Sequence, residues 1–189
     1  MSKHTIVALV QNRPGVLNRI ASKWRQRGFN IESLTVGHSE VDGLSRMTFT
    51  VDGTTTDVDQ VTKQMYKIIE VVKIADLTEH DIVYRELALV KVSATASQRS
   101  AIIEIVDIFR AKILDVAADS VIIEVTGTED KIDAIFELFR PYGIKELVRT
   151  GRVAMSRGGG TPTSVDGSKA EHHRFRPAGE GKAKVGSLI

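Results

Sequence analysis

The stretch VALVQNRPGVLNRIASKWRQRGFNIESLTV, from Val7 to Val36, carries the clearest structural signals in the first half of the chain. It begins as a buried strand of β-branched and aliphatic residues, passes through Asn12-Arg13-Pro14-Gly15 and continues as a helix. The helix carries its apolar residues on one face, and Gly28 stands where a helix C-terminus would need it. A second strand starts at Ile31. The stretch therefore predicts a β-α-β unit with a polar, glycine-containing loop at the helix start.

Further turn and cap signals continue this order. Asp42-Gly43 between two strand-like segments predicts a hairpin, and the threonines before Asp57 offer helix caps. A second set of the same elements follows, with a hairpin around Ala118-Asp119-Ser120 and a helix break at Pro141-Tyr142-Gly143. The predicted strands are Thr5–Val10, Ile31–Glu40, Leu44–Asp52, Val71–Leu77, Glu86–Val92, Lys112–Ala117, Val121–Val125 and Ile144–Thr150; the predicted helices are Val16–Arg27, one from Val58 to about Ile68, one capped by Ser97, and Thr128–Phe139.

The order β-α-β-β-α-β occurs twice, which predicts an α+β protein of two tandem ferredoxin-like domains at residues 1–80 and 81–156. Each domain would have a four-stranded antiparallel sheet with both helices on one face. The other face and the strand edges would remain uncovered, and each core is small. We therefore expect a homodimer, formed through the first domain, in which a second chain covers these surfaces.

Composition excludes several classes of protein. The 189 residues include no cysteine, so the chain has no disulfides, thiolate metal sites or cysteine nucleophile. No apolar run approaches the ~20 residues that span a bilayer. Residues 1–20 also lack the continuous apolar core of a signal peptide. We expect a cytoplasmic protein without membrane contact.

Charge is unevenly distributed. Residues 157–189 are rich in Gly, Ser, Lys and His and carry a net charge of +3, whereas the preceding residues carry −1. This composition predicts a disordered tail, and His172-His173 within it does not make a closed metal site. Nucleic-acid binding requires a basic face, and RNA-binding domains of this topology expose aromatics on their strands. The body is nearly neutral, and Phe49 is the one aromatic residue in the first hairpin, so we expect no nucleic-acid partner.

The loop before the first helix has the chemistry of a small-ligand site. The backbone N–H groups of Gly15, Val16 and Leu17 would lie at the positive end of the helix dipole, which suits a carboxylate. Gly15 allows a ligand to approach the backbone closely, and the Asn12 carboxamide can bond an ammonium or a carboxylate. Residues after the helix would add one polar and several aliphatic walls: Asn30, Ile31, Leu34 and Val36. Together these groups fit an amino-acid pocket.

The same residues also fit simpler explanations. Pro-Gly before a helix is a common turn, Arg13 can be solvated, and Asn30 can satisfy local backbone groups, so spacing alone does not decide. An acylphosphatase-like enzyme shares the strand order and uses a basic residue at a phosphate-holding loop, but its glycine-rich pattern is absent here. His80-Asp81 has no nucleophile nearby. The sequence predicts no catalytic residues and no metal site.

Longer segments carry a resemblance to a known family. The segments QNRPGVLNRIASKWRQRGFNIESLTVG, LSRMTFTV and VYRELALVKV, with the ending GRVAMSRG, closely resemble the regulatory (small) subunits of acetolactate synthase, also called acetohydroxyacid synthase. The first domain resembles an ACT domain, the ligand-sensing module of amino-acid metabolism. The resemblance extends from about residue 4 to Arg157 and does not include the tail.

The resemblance implies a function without chemistry of its own. Small subunits of this family raise the activity of a large catalytic subunit, which condenses two pyruvates, or pyruvate with 2-oxobutyrate, using thiamine diphosphate, Mg²⁺ and FAD. They confer feedback inhibition by valine on branched-chain amino-acid biosynthesis, and valine binds between two ACT domains. The family's binding positions correspond here to Asn12, Gly15, Val16, Asn30 and Ile31, with Asn18 and Gly37 as neighbours.

Two questions stay open at this level. An ACT-domain sensor of leucine or isoleucine that regulates a different enzyme fits the same residues. In the second domain, Arg110, Lys112 and Arg149 are candidates for contact with the large subunit, and a solvated charged face explains them equally well.

Overall fold

A computed structural model describes residues 3–54, 57–160 and 162–163. The predicted order of elements is confirmed, and one strand at the end of the second domain is additional. In chain order the elements are β1 (Lys3–Gln11), α1 (Val16–Gln26), β2 (Ser33–His38), β3 (Leu44–Asp52), α2 (Val58–Met65), β4 (Val71–Asp76), β5 (Ile82–Ser93), α3 (Arg99–Ile108), β6 (Lys112–Val116), β7 (Ser120–Gly127), α4 (Glu129–Phe139), β8 (Ile144–Arg149) and β9 (Val153–Ser156).

The first domain is a four-stranded antiparallel sheet with strand order β2-β3-β1-β4. Alternate residues of the strands point to the same side of the sheet, and both helices pack on the side where these residues form the core. At the centre of this core, the ring of Trp24 stacks on Phe49 with centroids 5.0 Å apart. The predicted ferredoxin-like fold is therefore confirmed. The strand residues of the core include Ile6, Ala8, Val10, Met47, Phe49 and Val51, and the helix residues are Val16, Ile20, Trp24, Val58, Val61 and Met65.

Helix α1 ends in a Schellman motif, as the position of Gly28 predicted. Gly28 has a φ of 70°, a backbone conformation that glycine adopts without strain. Its N–H donates to the carbonyl of Arg25 at 3.1 Å, and the N–H of Phe29 donates to the carbonyl of Trp24 at 3.1 Å. The Phe29 ring meets Trp24 edge-on at 6.4 Å. These bonds fix where the chain leaves the helix toward Asn30.

The second domain repeats this architecture, with strand order β6-β7-β5-β8 and α3 and α4 on one face. The predicted hairpin turn forms, since the N–H of Ala117 donates to the carbonyl of Ser120 at 2.8 Å. The buried core of the second domain consists of aliphatic residues and phenylalanines. The core residues are Ala88, Val90, Val92, Ala94, Ile102, Val106, Val121, Ile123, Val125, Ile132, Ile135, Phe136 and Phe139.

Ser97 was expected to cap helix α3, and that prediction is wrong. The helix begins at Arg99, and its N-cap residue is Gln98. Thr95 makes the turn instead: its N–H and hydroxyl lie 3.1 and 2.8 Å from the side-chain oxygen of Gln98. Ser97 lies within this turn, so its hydroxyl bonds Thr95 at 3.1 Å rather than an amide of the helix.

Strand β9 was not predicted, and it changes how the first sheet is covered. The first part of β5 (Ile82–Arg85) pairs with β9 (Val153–Ser156), and we call this pair the ribbon. The ribbon lies on the face of the first sheet that points away from the helices. Thr35 on that face donates to the carbonyl of Arg152 at 3.2 Å, and Val7 and Leu9 are fully buried there. We expected a second chain to cover this face; within the described residues the ribbon covers much of it, and the edges of the sheet remain open.

The segment after β9 still contacts the body. The N–H of Arg157 donates to the carbonyl of Asp81 at 2.8 Å. Thr163 is buried and accepts a bond of 2.9 Å from Arg46. Residue 161 and residues 164–189, which include His172-His173 and most of the predicted disordered tail, lie outside the described residues.

Candidate functional site

The loop between β1 and α1 presents an uncapped helix start. Gly15 is the N-cap residue with a φ of 86°, in the left-handed region. Its carbonyl accepts the N–H of Arg19 at 3.0 Å, and the N–H of Val16 reaches the carbonyl of Arg13 at a long 3.4 Å. Glycine supplies no side chain to cap the helix, and the first turn contains no acidic residue. The positive end of the helix is therefore open to an anion.

The predicted residues of this loop differ in exposure. Asn12, Gly15, Leu17 and Asn18 are exposed, whereas the side chain of Val16 is buried in the core. Val16 can therefore offer a ligand its N–H group but not its side chain. The N–H of Asn12 donates to the carbonyl of Gly43 in the β2–β3 turn at 2.9 Å, which anchors the loop and leaves the carboxamide outward.

Asn30 and Ile31 lie at the opposite end of the sheet. Both residues precede Ser33. Ser33 pairs with Thr50 of β3, and Thr50 pairs with Thr5 of β1, so the start of β2 lies at the same end of the sheet as the start of β1. Strand β1 ends at Gln11, six residues after Thr5, and the loop at Asn12 follows this other end. At about 3.3 Å per residue, the two sets of residues are separated by about 20 Å along the strands. One chain therefore does not bring Asn12 and Gly15 together with Asn30 and Ile31.

Strand β2 is an open edge of the first sheet. Leu34 and Val36 point to the helix face, where Leu34 packs against the core and Val36 is 46% exposed. Leu17 on α1 is similarly exposed, at 44%. Gly37 points the other way, opposite Arg46. With respect to the described residues, the edge therefore combines unpaired backbone groups with exposed aliphatic side chains, the features of a strand that pairs with another chain.

A partly buried ionic cluster joins the two domains. Arg152 is only 8% exposed; it donates to the hydroxyl of Thr5 at 2.9 Å and lies 3.2 Å from Glu129. Lys3 donates to the same carboxylate at 2.9 Å. The Arg152 guanidinium also lies 4.3 Å from the centre of the Tyr84 ring. First-domain and second-domain groups thus share one carboxylate, which fixes their relative position.

Comparisons with known proteins match both domains. The model of an AHAS small subunit-like ACT domain matches residues 6–73, and the model of the small subunit of acetolactate synthase matches residues 85–158. The chain belongs to the family of acetolactate synthase small subunits. It is an ACT-domain regulatory subunit, and membership of this family implies a large catalytic subunit as partner.

Individual small subunits match over most of their length. A relative from Archaeoglobus fulgidus, described as a probable acetolactate synthase small subunit, is 58% identical over 156 residues, covering 82% of this chain and 98% of the relative. The small subunit of Bacillus subtilis is 51% identical over 158 residues, covering 82% and 91%. The crystal structure of the small subunit from Thermotoga maritima matches with a TM-score of 0.78 and 41% identity, covering 84% and 99%.

In this small subunit, Arg149 has internal partners. Its guanidinium donates to both oxygens of buried Glu86 at 2.8 and 2.7 Å and to Asp133 at 2.7 Å. The Glu86 hydrogen bonds, with the help of Asp133 and against the effect of burial, raise the pKa of Arg149 well above its ordinary value. Both partners belong to the second domain, so Arg149 stabilises that domain itself. Arg110 and Lys112 are exposed and stay candidates for contact with the large subunit.

The described residues show neither a metal-binding cluster nor a membrane-spanning helix. The described part of the small subunit contains no group of three or more His, Asp or Glu side chains arranged to hold a metal ion. None of its described helices has the length and apolar character needed to cross a membrane.

The ionic cluster predicts acid sensitivity of the small subunit. Burial alone would raise the pKa of Glu129, but the hydrogen bond from Lys3 and the charge of Arg152 outweigh it and hold the pKa below its ordinary value of 4.5. Such a carboxylate contributes stability that is fully present above the unfolded-state pKa and lost as pH falls through the folded-state pKa. We expect Glu129→Gln to lower the free energy of unfolding at pH 7 by about 1–2 kcal/mol.

Urea titrations at pH 7, 5 and 3 test this expectation. The parent should lose more stability than Glu129→Gln between pH 5 and pH 3. Glu137→Gln on the same helix is the matched control, because the Glu137–Arg140 pair is mostly exposed and should contribute little. Equal acid sensitivity in the parent and Glu129→Gln would contradict the assignment.

Proposed function

We propose that this chain senses valine and passes the signal to the catalytic subunit of acetolactate synthase, raising its activity and conferring feedback inhibition. The observation that carries the proposal is the open helix start at Gly15, beside the outward carboxamide of Asn12. The valine carboxylate would bind the first N–H groups of α1. Its ammonium would bond the amide oxygens of Asn12 and Asn30, and its isopropyl group would contact Ile31.

Such a pocket requires two chains, because one chain separates its halves by about the length of the sheet. Antiparallel pairing of the two β2 edges about a two-fold axis would join the sheets into one. The start of one β2 would then lie beside the end of the other. Such pairing would bring Asn30 and Ile31 of the partner subunit near the loop at Asn12, with Leu17, Leu34 and Val36 at the contact. Asn18 and Gly37 stand next to this region, and we propose them as peripheral residues.

The chemistry belongs to the partner in this proposal. Thiamine diphosphate, Mg²⁺ and FAD would be held by the catalytic subunit, with none in this chain. Valine inhibits only if it binds one conformation of the complex more tightly than the other. Selectivity among branched side chains should be modest, because one methylene contributes about 1–3 kcal/mol of discrimination.

Calorimetric titration of the full chain with valine tests the proposal. We expect Gly15→Asp to weaken valine binding at least about tenfold, because the new carboxylate would occupy the anion site. Gly15→Ala is the matched control: it places a side chain at the same left-handed φ without the charge and should bind valine more tightly than Gly15→Asp. Asn12→Ala should also weaken binding. Parent-like binding in both Gly15→Asp and Asn12→Ala would show that the site lies elsewhere.

The same titrations separate valine from other effectors. Leucine, isoleucine and alanine are the comparisons, and tighter binding of leucine or isoleucine would favour a sensor of a different amino acid. The regulatory part of the proposal is tested by adding the purified chain to an acetolactate synthase catalytic subunit. Its activity should rise, and valine should then inhibit it.

A further inference from the structure

A second cavity lies on the other side of the first sheet, between that sheet and the ribbon. Its volume is about 360 Å³, within the range of small-molecule sites. It is separated from the loop at Asn12 by the sheet itself, because its strand residues point away from the helices. The lining residues are Thr35, Gly37, His38, Arg46, Thr48, Val83, Arg85, Val153, Ala154 and Met155.

Arg46 is a half-buried cation without a carboxylate partner at this cavity. Its guanidinium donates to the carbonyl of Ala154 at 3.0 Å and to the hydroxyl of Thr163 at 2.9 Å, and both acceptors are neutral. Within the described residues it forms no ion pair. Burial lowers the pKa of Arg46, which the charge of Glu40 only partly opposes. A guanidinium that is partly desolvated and has no counterion is stabilised when it binds an anion.

The rest of the cavity complements a ligand with a charged end and an apolar end. Arg85 at the rim is exposed and donates to the carbonyl of Tyr84 at 2.7 Å, and it also has no carboxylate partner among the described residues. The walls are aliphatic: Val83, Val153, Ala154 and Met155. A guanidinium has five N–H donors in a planar fork that fits a carboxylate, and the two described bonds of Arg46 leave donors for a ligand.

The charges of the lining residues also indicate which kind of ligand the cavity does not fit. The described residues that line it include two arginines and one histidine but no Asp or Glu. Glu40 acts on Arg46 through its charge but does not line the cavity, so an ammonium group inside it would meet cations rather than a carboxylate. The lining therefore favours a carboxylic acid that lacks the amino group over an amino acid.

We propose that this cavity binds a small aliphatic monocarboxylate, such as a branched 2-oxo or simple carboxylic acid. The carboxylate bonds Arg46 and Arg85, and the aliphatic chain packs against Val83, Val153 and Met155. The ligand contacts both the first sheet and the ribbon that leads to the second domain. It therefore acts as a second input on the face of the first sheet opposite the valine site, with Gly37 of the β2 edge bordering both sites.

The test is calorimetric titration of the full chain with isovalerate, with 3-methylbutanamide as the neutral control. We expect saturable binding of isovalerate and none of the amide. Arg85→Gln and Val153→Asp, both at exposed positions, should each weaken isovalerate binding at least about tenfold, since they remove a cation or add a like charge. Arg25→Gln on α1, also exposed but on the opposite side of the sheet, should leave it unchanged.

The variants keep this site distinguishable from the valine site. Asn12→Ala should bind isovalerate like the parent, and Arg85→Gln should bind valine like the parent. Absence of isovalerate binding at millimolar concentrations would overturn the proposal. So would binding that is lost in Asn12→Ala and kept in Arg85→Gln, or binding that Arg25→Gln weakens as much as Arg85→Gln does.

Discussion

We expect the Val36→Asp variant to be a folded monomer that no longer binds valine. Val36 is half-exposed on the open edge of the first sheet, so a carboxylate there remains hydrated in the single chain. In a dimer paired through β2, two such carboxylates would lie close together against aliphatic side chains. Like charges in that position cost several kcal/mol, which raises the dimer dissociation constant on the order of 100-fold or more.

Sedimentation equilibrium and calorimetry on the same samples test this expectation. The matched control is Val116→Asp, which changes a valine of similar exposure on an edge strand of the second sheet. It should leave both the association and the valine affinity unchanged. A Val36→Asp protein that remains dimeric and binds valine like the parent would rule out the proposed pairing of β2 edges.

The second large effect is expected at Glu86. This carboxylate is only 5% exposed and receives two hydrogen bonds from Arg149, so Glu86→Gln leaves a guanidinium facing an amide in a buried position. Breaking one side of a buried ion pair is costly, although Asp133 still bonds Arg149. We expect the free energy of unfolding to fall by about 2–3 kcal/mol.

Urea titration followed by far-ultraviolet circular dichroism measures this loss. Asp133→Asn is the control, because its side chain is 60% exposed and its pair with Arg149 should contribute less than about 1 kcal/mol. The single tryptophan, Trp24, reports separately on the first domain by fluorescence. If Glu86→Gln proved no less stable than Asp133→Asn, the Arg149–Glu86 pair would not be the main stabilising pair of this region.

Local sequence signals were sufficient for most of the fold. Strand β3 was predicted with the bounds that the structure has, because β-branched and aromatic residues fill its second half, Thr48 to Val51, and Asp42-Gly43 precedes it. Strand β9 was missed since Val153–Ser156 has only four residues, between Gly-Arg and Arg-Gly segments. Its conformation depends on pairing with Ile82–Arg85, about seventy residues earlier, and such pairing has no local signature.

The candidate site shows the same division. The residue types at Asn12 and Gly15 indicated an anion-binding helix start, which is a local property of the chain. The separation of Asn30 from that loop follows from strand order and register, which only the folded sheet reveals. Arg46 was not predicted as a site residue, because in the sequence it is one polar residue of an alternating strand. Its half-buried position results from the ribbon, and the ribbon could not be predicted.

Strand β5 gives this regulatory chain a mechanical property. It runs without a break for twelve residues, from the ribbon beneath the first sheet into the centre of the second sheet. At about 3.3 Å per residue it is a lever about 40 Å long. A tilt of roughly 5° at its first end would displace the far end by about 3 Å, more than the helix shifts of about 1–2 Å that switch subunit interfaces. A ligand that tilted the first domain by a small angle would therefore cause a larger displacement at the opposite end of β5.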